Sequence, residues 1–587
     1  MIDEIELGPI HSSDSKIGST QNPSNDVIPN ENLNKEDILT KPKNYDDLLE
    51  KHVGGWGPFQ IKLLFLLSIF LQQGFAPLRN NLIYILDVPD HWCDVPGRTD
   101  NISLANWKMI TIPQEPGPDG RMRFSQCNIK NSSTGLVSSC TKWDYDRTDY
   151  TQTVVSQNNW VCGQTQYATN CFTAQNVGGA GGQLFFGIFS DRLGRKPVFI
   201  FLFLFSIVST GASYLVSESY WWFLGLSFMR GFSNGSVFEL CSLIVTEQSS
   251  PCRRSLINTC KWVSYVVGNI VTVLLIMYLQ DWWIFGWVTL GMGCSGLIIW
   301  PFLPESARWL ISQGKSKEAT KILVKMAKEN GMKGREDVIK ADVNHVLEEN
   351  KKVAKISFKT VFSRGRLCFN FFMLTICMST GYFLFDLTYL NAPRMSGYKF
   401  VNLIILFVAE LLGGTAGGFL MDTLGRRWTQ VLAFFLAGGA GLFCAIVLPL
   451  VGYWELLGGA IFIKVGEAIA SLAAATMRDE LLPTPIRATG CGLAEFVAAV
   501  IAISVPSVVE FGKDNASFPY AIICVVGILG GLAAMFLPET LNQRLPETID
   551  EANLFSTETR FWSFHPSLDS YNSGNNDAAA ATDQNTN

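Results

Sequence analysis

The chain has 587 residues, of which 48% are hydrophobic and only 17% are charged, and its net charge is −5. Soluble domains carry nearer a quarter of charged residues, so this composition excludes an ordinary soluble protein and favours a membrane protein. No basic cluster suggests a nucleic-acid partner, and the 14 cysteines include no C-x-x-C pair, so we expect neither a metal site nor a cofactor.

The chain begins with a polar stretch, residues 1–45, which has few aromatic residues and is expected to be a disordered tail. The first apolar run follows at 61–86. A bilayer core requires ~20 apolar residues per helix, and eleven further runs meet this length: 167–190, 197–217, 221–246, 256–280, 283–303, 367–390, 399–421, 428–451, 454–477, 488–511 and 519–537. The sequence therefore predicts an all-α polytopic membrane protein with twelve transmembrane helices.

Two hydrophilic inserts interrupt the apolar runs. Residues 87–166 separate the first run from the second. Residues 304–366 lie in the middle of the chain, and their Lys- and Glu-rich part, 315–350, predicts two or three short helices. The chain is polar again at 546–587, where we expect a second disordered tail.

The membrane part contains an internal repeat. The stretch Gly187–Lys196, G-I-F-S-D-R-L-G-R-K, returns as Gly418–Arg427, G-F-L-M-D-T-L-G-R-R, 231 residues later. Two further pairs keep nearly this spacing, namely Glu247 and Arg254 with Glu480 and Arg487, and Pro304-Glu305-Ser306 with Pro538-Glu539-Thr540. Such self-similarity indicates a repeated structural unit. It predicts two pseudo-symmetric six-helix halves, 46–303 and 367–545, joined by the linker 304–366.

The basic residues of the short loops predict the orientation, because cytoplasmic loops carry an excess of Lys and Arg. The loops after the even-numbered apolar runs hold most of them: Arg192, Arg195, Lys196, Arg253, Arg254, Arg426, Arg427 and Arg487. We therefore expect both tails and the linker in the cytoplasm and the insert 87–166 outside the cell.

The insert also has features of a secreted segment. It holds N-glycosylation sequons at Asn101 and Asn131, and a third sequon, at Asn515, lies on the same side between the last two apolar runs. Four cysteines in an oxidising compartment suggest two disulfides; they are Cys93, Cys127, Cys140 and Cys162. Their spacing alone allows three pairings.

Several motifs together resemble those of one family. They are D-D-L-L-E at 46–50, C-T-K-W-D-Y-D at 140–146, N-W-V-C at 159–162, S-D-R-L-G-R-K at 190–196, P-E-S-A-R-W-L at 304–310 and E-L-L-P-T-P-I-R at 480–487. Over residues 46–550 the chain resembles the major facilitator superfamily, and within it the organic cation, organic anion and carnitine transporters of the solute carriers. The resemblance implies the pairings Cys93–Cys140 and Cys127–Cys162. It also implies alternating access around a central site between two six-helix halves.

The resemblance further implies a gating role for the repeated charges on the cytoplasmic side. They would bond to neighbouring helix ends when the inside is closed and would separate when it opens. The residues concerned are Asp191, Arg192, Arg195, Glu247, Arg254, Glu305, Asp422, Arg426, Glu480, Arg487 and Glu539. The alternative is that these charges only set the topology.

Ionisable residues inside membrane helices are costly and are functional candidates by default. Besides Lys464 and Glu467, which we leave out of the candidate set, the charged candidates are Arg79, Glu239, Lys261, Asp386, Glu410 and Glu495. The resemblance favours Glu410 as a cation contact and adds aromatic wall residues, namely Phe238, Tyr382 and Phe385. Each charged candidate could instead belong to an internal salt bridge.

One position departs from the family pattern. Twelve residues after Arg487, the cation transporters carry Asp and the anion and carnitine transporters carry Arg, whereas this chain has Ala499. Glu495 lies one helical turn earlier. The departure puts assignment to either subgroup in doubt.

The sequence predicts a transporter of small organic cations or zwitterions, such as amines, carnitine-like compounds or amino-acid derivatives. If Arg79 and Lys261 pair with two of the three acids Glu239, Asp386 and Glu410, one negative charge remains for a cation. The alternatives are an organic anion exchanger, favoured by the two basic residues, and a transporter-like receptor that does not transport. We expect a monomer in the plasma membrane, with a lipid bilayer and a small organic molecule as partners and no enzymatic activity; a coupling ion is left open.

Overall fold

The computed structural model describes residue 42 and residues 45–94, 103–116, 122–130, 136–332, 334–351, 365–392, 398–447, 453–483, 486–512, 515–541, 543, 545–546 and 552–553. Most of the two predicted tails lies outside these residues. The sequons at Asn101 and Asn131 and the linker residues 352–364 also lie outside them.

Twelve long helices form the described membrane part. They are α1 Pro58–Ile85, α2 Gln166–Leu193, α3 Arg195–Leu215, α4 Tyr220–Thr246, α5 Arg254–Leu279, α6 Trp282–Phe302, α7 Gly365–Asn391, α8 Lys399–Thr423, α9 Arg426–Val447, α10 Tyr453–Leu481, α11 Arg487–Phe511 and α12 Phe518–Met535. Each overlaps one predicted apolar run. Among the described residues, ten of these helices have both the length and the hydropathy to cross a membrane.

The other two, α2 and α4, have 28 and 27 residues and are long enough to span a bilayer. They are less apolar because they carry polar residues that face the protein interior. Asn234 of α4 accepts a hydrogen bond from the Ser206 hydroxyl of α3 at 2.6 Å, and the buried Arg230 donates to Asn81 of α1. These two polar side chains of α4 are thus bonded within the bundle and do not face lipid.

The two halves, α1–α6 and α7–α12, each have a large buried apolar cluster. They meet where α2 packs on α11 and where α5 packs on α8. Glycines allow the first contact to be close, because a Cβ on Gly187 would lie 2.6 Å from the Ala488 carbonyl oxygen and one on Gly492 would lie 2.4 Å from that of Gln183. Small residues at such crossings let membrane helices pack backbone to backbone.

The helix α11 is interrupted at residues 503–504. Pro506 follows directly, within the short helical stretch Val505–Phe511. Proline has no N–H and its ring clashes with the preceding turn, which explains why the predicted run 488–511 forms two helical pieces.

The insert between α1 and α2 contains three antiparallel strand pairs: β1 His91–Cys93 with β6 Trp143–Tyr145, β2 Gln114–Pro116 with β3 Met122–Phe124, and β4 Asn128–Lys130 with β5 Val137–Ser139. Two disulfides join Cys93 to Cys140 and Cys127 to Cys162. This is the pairing implied by the family resemblance, and it ties β1 and the residue directly before β4 to later parts of the insert.

Three short helices follow α6: Ala307–Ser312, Ser316–Glu329 and Glu336–Lys351. They include the short helices predicted for the linker. They contact the segment that precedes α1, because the Asn330 side chain donates to the backbone oxygens of Val53 and Gly54 at 3.1 and 3.0 Å. We call this end of the bundle the linker end and the opposite end the insert end.

Candidate substrate cavity

A cavity with an empty volume of about 730 Å³ lies between α1, α4 and α5 of the first half and α7 and α10 of the second. Six of the nine candidate substrate residues line it: Arg79, Phe238, Glu239, Lys261, Tyr382 and Phe385. Asp386, Glu410 and Glu495 are not among its lining residues. The cavity is therefore central and shared by both halves, in the position expected for a carrier of this architecture.

Two basic residues lie on one wall of the cavity. The Arg79 guanidinium lies over the rings of Phe238 and Tyr265, at 5.3 and 5.6 Å from their centroids. The Lys261 ammonium lies 4.3 Å from the Phe238 centroid and 3.7 Å from the Glu239 carboxylate. Among the described residues, no carboxylate comes within the 4.0 Å ion-pair distance of Arg79. Within the described part of the chain, Arg79 is therefore the cation on this wall without an ion-pair partner.

An acidic pair lies on the opposite wall, around Lys464 of α10. The Lys464 ammonium is 3.1 Å from both Glu410 and Glu467, and it lies 3.9 Å from the Phe385 ring centroid. Glu467 lines the cavity and accepts a hydrogen bond from Ser471 at 2.9 Å. The sequence favoured Glu410, but Glu467, which was left out of the candidate set, is the member of this triad that reaches the cavity.

Asp386 is next to the cavity residue Phe385 on α7. It is half-buried, and within the described residues it has neither a hydrogen bond nor an ion pair. The charges that act on it are those of Arg79, Lys464 and Glu467. Its carboxylate therefore belongs to the electrostatic surroundings of the cavity.

Glu495 of α11 belongs to a separate charged group centred on Arg478 of α10. Arg478 donates to Glu495, to Glu239 at 2.5 Å and to Asp479 at 2.9 Å. The sequence analysis did not identify Arg478, because it falls one residue beyond the predicted apolar run 454–477. The signal that could have found it is a basic residue next to an acidic one at the end of a membrane helix.

The first repeated charge cluster surrounds Arg195, at the linker end. Its guanidinium lies 3.0 Å from Asp191 and 3.3 Å from Glu247. The Glu305 carboxylate accepts hydrogen bonds from the first two backbone N–H groups of α3 at 2.9 and 3.3 Å, where an acid is favoured by the helix dipole. Gly194 has φ of +112°, and a Cβ there would lie 2.6 Å from Glu305. Glycine is therefore required at position 194, beside the Glu305 carboxylate that caps the N-terminus of α3.

The second copy has the same construction. Arg426 lies 3.5 Å from Asp422 and 3.6 Å from Glu480. Glu539 accepts from the first two N–H groups of α9 at 2.9 and 3.1 Å. Gly425 has φ of +87°, and its Cβ would lie 2.4 Å from Glu539. The repeat seen in the sequence is thus a repeat of local structure.

Bonds between the halves connect these two clusters. One Asp191 oxygen accepts from the Thr489 N–H at 2.8 Å and from the Thr489 hydroxyl at 2.7 Å, in the first turn of α11. In the mirror position, Asp422 accepts from the Ser255 hydroxyl at 2.6 Å, in the first turn of α5. Arg487 lies 3.6 Å from Glu247 across the same boundary.

Two of the predicted gating residues differ from the rest. Arg254 of α5 lies 3.7 Å from Asp46, which precedes α1 and also accepts from Arg308 of the linker. Burial raises the pKa of Asp46, but Arg308 and Arg254 outweigh it and hold that pKa below its usual value. Arg192 has an exposed side chain and, among the described residues, no ion-pair partner, so it is not part of the network.

The insert end has its own connection between the halves, which the sequence analysis did not identify. The Lys399 ammonium of α8 lies 2.9 Å from Asp87 and 3.1 Å from Asp149, and 4.5 Å from the Tyr150 ring centroid. Tyr84 of α1 and Tyr389 of α7 share a hydrogen bond of 3.0 Å. Contacts between the halves therefore exist at both ends of the cavity.

The family model described as "Sugar (and other) transporter" matches residues 126–552. Organic cation/carnitine transporter 2 of Mus musculus is 30% identical over 87% of this chain and 94% of its own length. The chain belongs to this transporter family, among the organic cation and carnitine transporters of the solute carriers. Similar proteins also include the carcinine transporter of Drosophila melanogaster, 28% identical over 88% of this chain and 80% of the relative.

Solved structures show the same fold. The proton:xylose symporter XylE of the major facilitator superfamily matches with a TM-score of 0.58 and 14% identity, over 83% of this chain and 98% of its own. The human organic anion transporter MFSD10 matches with a TM-score of 0.51 and 15% identity, over 82% of this chain and 100% of its own. The fold is that of the major facilitator superfamily, and the membrane protein is multi-pass.

Proposed function

We propose that this protein carries small organic cations and zwitterions, such as amines, carnitine-like compounds or amino-acid derivatives, by alternating access across the plasma membrane. The observation that carries the proposal is the central cavity, which offers in one space a guanidinium with no ion-pair partner among the described residues, a buried carboxylate and aromatic faces. Relatives named for carcinine and for organic cations and carnitine support it.

Arg79 is the proposed contact for an acidic group of the substrate. A guanidinium binds a carboxylate through two parallel hydrogen bonds, which fixes its orientation as well as its charge. A charge at membrane depth is costly unless it is paired or hydrated. A substrate carboxylate would supply the counter-ion that the described residues do not provide.

Glu467 and the aromatic residues are the proposed contacts for the cationic group. Glu410 and Glu467 share one Lys464, so this triad holds two negative charges against one positive charge. The excess negative charge favours an ammonium group on the side of Glu467. Tyr382 and Trp262 also line the cavity and present ring faces that attract a cation. A zwitterion would contact both the wall of Arg79 and the wall of Glu467, whereas a simple amine would contact only the wall of Glu467.

The two ends of the bundle are the proposed gates. Asp191 with Thr489 and Asp422 with Ser255 would separate when the linker end opens, and Lys399 would leave Asp87 and Asp149 when the insert end opens. The basic loops favour a cytoplasmic linker end and cytoplasmic termini. The insert and the exposed Asn515 would then face outward, where Asn101, Asn131 and Asn515 would carry glycans.

Uptake of three probe classes tests the proposal. Cells expressing the chain receive labelled carnitine, tetraethylammonium and a dicarboxylate, with surface expression measured in parallel. We expect saturable uptake of the first two. Uptake of the dicarboxylate alone would favour the second candidate, an organic anion exchanger, for which the position of both Arg79 and Lys261 on the cavity wall is the supporting observation. No uptake of any probe by protein at the surface would overturn the proposal.

A further inference from the structure

Arg230 of α4 is a buried cation that the substrate proposal does not use and that the sequence analysis did not identify. It is 0% exposed and stands inside α4, away from both ends of the helix. Among the described residues, no carboxylate lies within the 4.0 Å ion-pair distance of its guanidinium. The described titratable group that acts on its charge is the Tyr214 phenol of α3. A charge inside a membrane helix is costly unless it is paired or hydrated.

The hydrogen-bond partners of Arg230 are neutral. One terminal nitrogen donates to Asn81 of α1, and the other donates to the Ser213 hydroxyl of α3 at 3.4 Å. The third nitrogen, Nε, is buried and donates to no described residue. The guanidinium also lies 6.0 Å from the centroid of the Tyr214 ring. These contacts orient the guanidinium but leave its charge uncompensated.

Two further hydrogen-bond donors, on α3 and α4, are unsatisfied. The Nδ2 amide nitrogen of Asn234 and the hydroxyl of Thr210 are buried and have no hydrogen-bond partner within the described part of the chain. Thr210 is 0% exposed and Asn234 is 3% exposed. Asn234 follows Arg230 by one turn of α4, so these two side chains lie on the same face of that helix.

Contacts between α3 and α4 place Thr210 between Arg230 and Asn234. The Ser206 hydroxyl of α3 donates to Asn234 at 2.6 Å. Further along α3, Ser213 accepts from Arg230, so the two helices run in opposite directions. Thr210 stands four residues after Ser206 and three before Ser213, and all three therefore share one face of α3. The three unsatisfied donors thus meet in one space between the helices.

The chemistry of this space favours an anion. Guanidinium and amide N–H groups can only donate hydrogen bonds, and a hydroxyl group can donate one as well. Arg230 would repel a cation, and a water molecule would leave the charge of Arg230 in place. A small monovalent anion accepts from all three donors and neutralises the guanidinium. Because the three side chains are almost fully buried, an anion without a bulky organic part fits this space.

We propose that Thr210, Arg230 and Asn234 form a binding site between α3 and α4 for one monovalent inorganic anion, chloride. The anion is the counter-ion of Arg230. The site is separate from the substrate cavity, because none of these three residues is among the described residues that line that cavity. The inference does not rest on the proposed transport function.

The bound anion would stabilise the packing of four helices of the first half. Arg230 donates to Asn81 of α1. The amide of Asn81 in turn donates to the Tyr214 hydroxyl of α3 at 2.7 Å and to Thr289 of α6 at 2.9 Å. The charge on Arg230 therefore lies at the centre of a network that joins α1, α3, α4 and α6. Loss of its counter-ion should lower the stability of this part of the protein.

The test compares sodium chloride with sodium gluconate at equal ionic strength, using the purified full chain in detergent. Chloride should raise the melting temperature saturably, because a ligand that binds only the folded state stabilises it by mass action. Equilibrium dialysis with ³⁶Cl⁻ should show one site per chain. Gluconate should neither stabilise the protein nor displace ³⁶Cl⁻, because it is too large for a buried space.

Asn234→Asp is the most informative variant, because it keeps the size of the side chain and places a carboxylate one helical turn from Arg230. It should bind no ³⁶Cl⁻ and should melt at the same temperature in both salts, at or above the wild-type value in gluconate. Such a rescue by a built-in anion would not follow from a merely structural role of Asn234.

Thr210→Val removes one donor and keeps the shape of the side chain. It should weaken chloride binding by ~10-fold or more, because the lost hydrogen bond is to a charged group. Thr272→Val of α5 is the matched control, because Thr272 is also 0% exposed and its hydroxyl already donates to the Gly268 carbonyl oxygen at 2.7 Å. This control should bind chloride as the wild type does.

Arg79→Gln separates this site from the substrate cavity, where a second guanidinium could attract chloride. It should leave chloride binding unchanged. The proposal is overturned if the wild type binds no ³⁶Cl⁻ or gains no stability from chloride over gluconate. It is also overturned if Arg79→Gln abolishes the binding, or if folded Asn234→Asp and Thr210→Val bind chloride like the wild type. Uptake of carnitine and tetraethylammonium is measured separately, so either proposal can fail while the other stands.

Discussion

The bond between Asp191 and Thr489 offers a direct test of gating at the linker end. Asp191 is 8% exposed, and one of its oxygens accepts two hydrogen bonds from the start of α11, at 2.8 and 2.7 Å. The change Asp191→Asn keeps the size of the side chain and removes its charge. We expect it to destabilise the state in which the linker end is closed.

The magnitude follows from the two bonds. A hydrogen bond to a charged group contributes ~1.5–3 kcal/mol and a neutral one ~0.5–1.5 kcal/mol, so removing the charge from two bonds costs the closed state ~2–3 kcal/mol. Since 1.4 kcal/mol is a factor of ten, the ratio of closed to open linker ends should fall by ~30–150-fold. The mirror change Asp422→Asn serves as the matched comparison. Asp422 accepts one hydrogen bond across the halves and its side chain is 51% exposed, so its loss should cost ~1 kcal/mol or less.

A native cysteine reports the opening. Cys491 lies two residues beyond Thr489, lines a cavity between α2, α4, α10 and α11, and is 9% exposed. Its labelling by N-ethylmaleimide, measured by peptide mass spectrometry, should accelerate strongly in Asp191→Asn and only slightly in Asp422→Asn. Cys444 of α9, which is 1% exposed, controls for general unfolding. Equal labelling rates of Cys491 in the wild type and Asp191→Asn, together with unchanged turnover, would show that the charge sets topology only.

Four further outcomes are expected. Arg79→Ala should raise the apparent KM for carnitine far more than for tetraethylammonium, because truncating a buried charge contact costs ~2–5 kcal/mol; equal effects on both probes would contradict the carboxylate contact. Glu410→Gln should raise the apparent KM for amines at normal surface expression, because Lys464 then pairs with Glu467 alone and leaves less negative charge for the substrate. An unchanged KM for amines would show that Glu410 does not act on the substrate through Lys464. Asp46→Asn should lower the melting temperature in detergent, because breaking a buried ion pair costs ~3–5 kcal/mol, whereas Asp337→Asn, at an exposed position of the linker, serves as the control. Since the folded-state pKa of Asp46 lies below its usual 3.8, this stabilisation is present at neutral pH and is lost only as the pH falls through that lowered value. Cys127→Ser should reduce surface delivery, measured by biotinylation, more than substrate choice, because loss of a disulfide costs ~2–5 kcal/mol.

Much of the fold could be predicted because its determinants are local. The length and hydropathy of an apolar run are sufficient to identify a membrane helix, and the repeat of Gly187–Lys196 as Gly418–Arg427 divides the helices into two halves. Even α2 and α4, whose polar residues lower their hydropathy, are found, because their apolar runs, 167–190 and 221–246, are long enough to cross a bilayer. The repeat also pairs Glu305 with Glu539, which occupy matching positions at the starts of α3 and α9.

The cavity could be predicted only in part, because pairing between helices depends on how each helix is rotated. Arg79 and Lys261 were identified as charged residues inside membrane helices, and Phe238 was identified through the family resemblance. The partner of Glu410 is Lys464, on another helix, and no local signal says which acid of that triad faces the cavity. Lys399 was not identified at all, because it stands at the first residue of α8 and looks like an ordinary interfacial lysine.

The two ends of the bundle are held together unequally, and this sets the expected resting state. At the linker end the repeat provides two copies of the connection between the halves, and its buried groups include Asp191, Glu247 and Arg487. Both copies must break when one half rotates against the other. The insert end is joined by the hydrogen bond between Tyr84 and Tyr389 and by the ion pairs of one cation, Lys399, whose side chain is 21% exposed and whose acidic partners are 34% and 27% exposed. Exposed ion pairs contribute little because water screens them, whereas breaking a buried pair is costly. The substrate-free protein is therefore expected to open more readily at the insert end, which on the proposed topology exposes Arg79 and Glu467 to substrate from outside the cell.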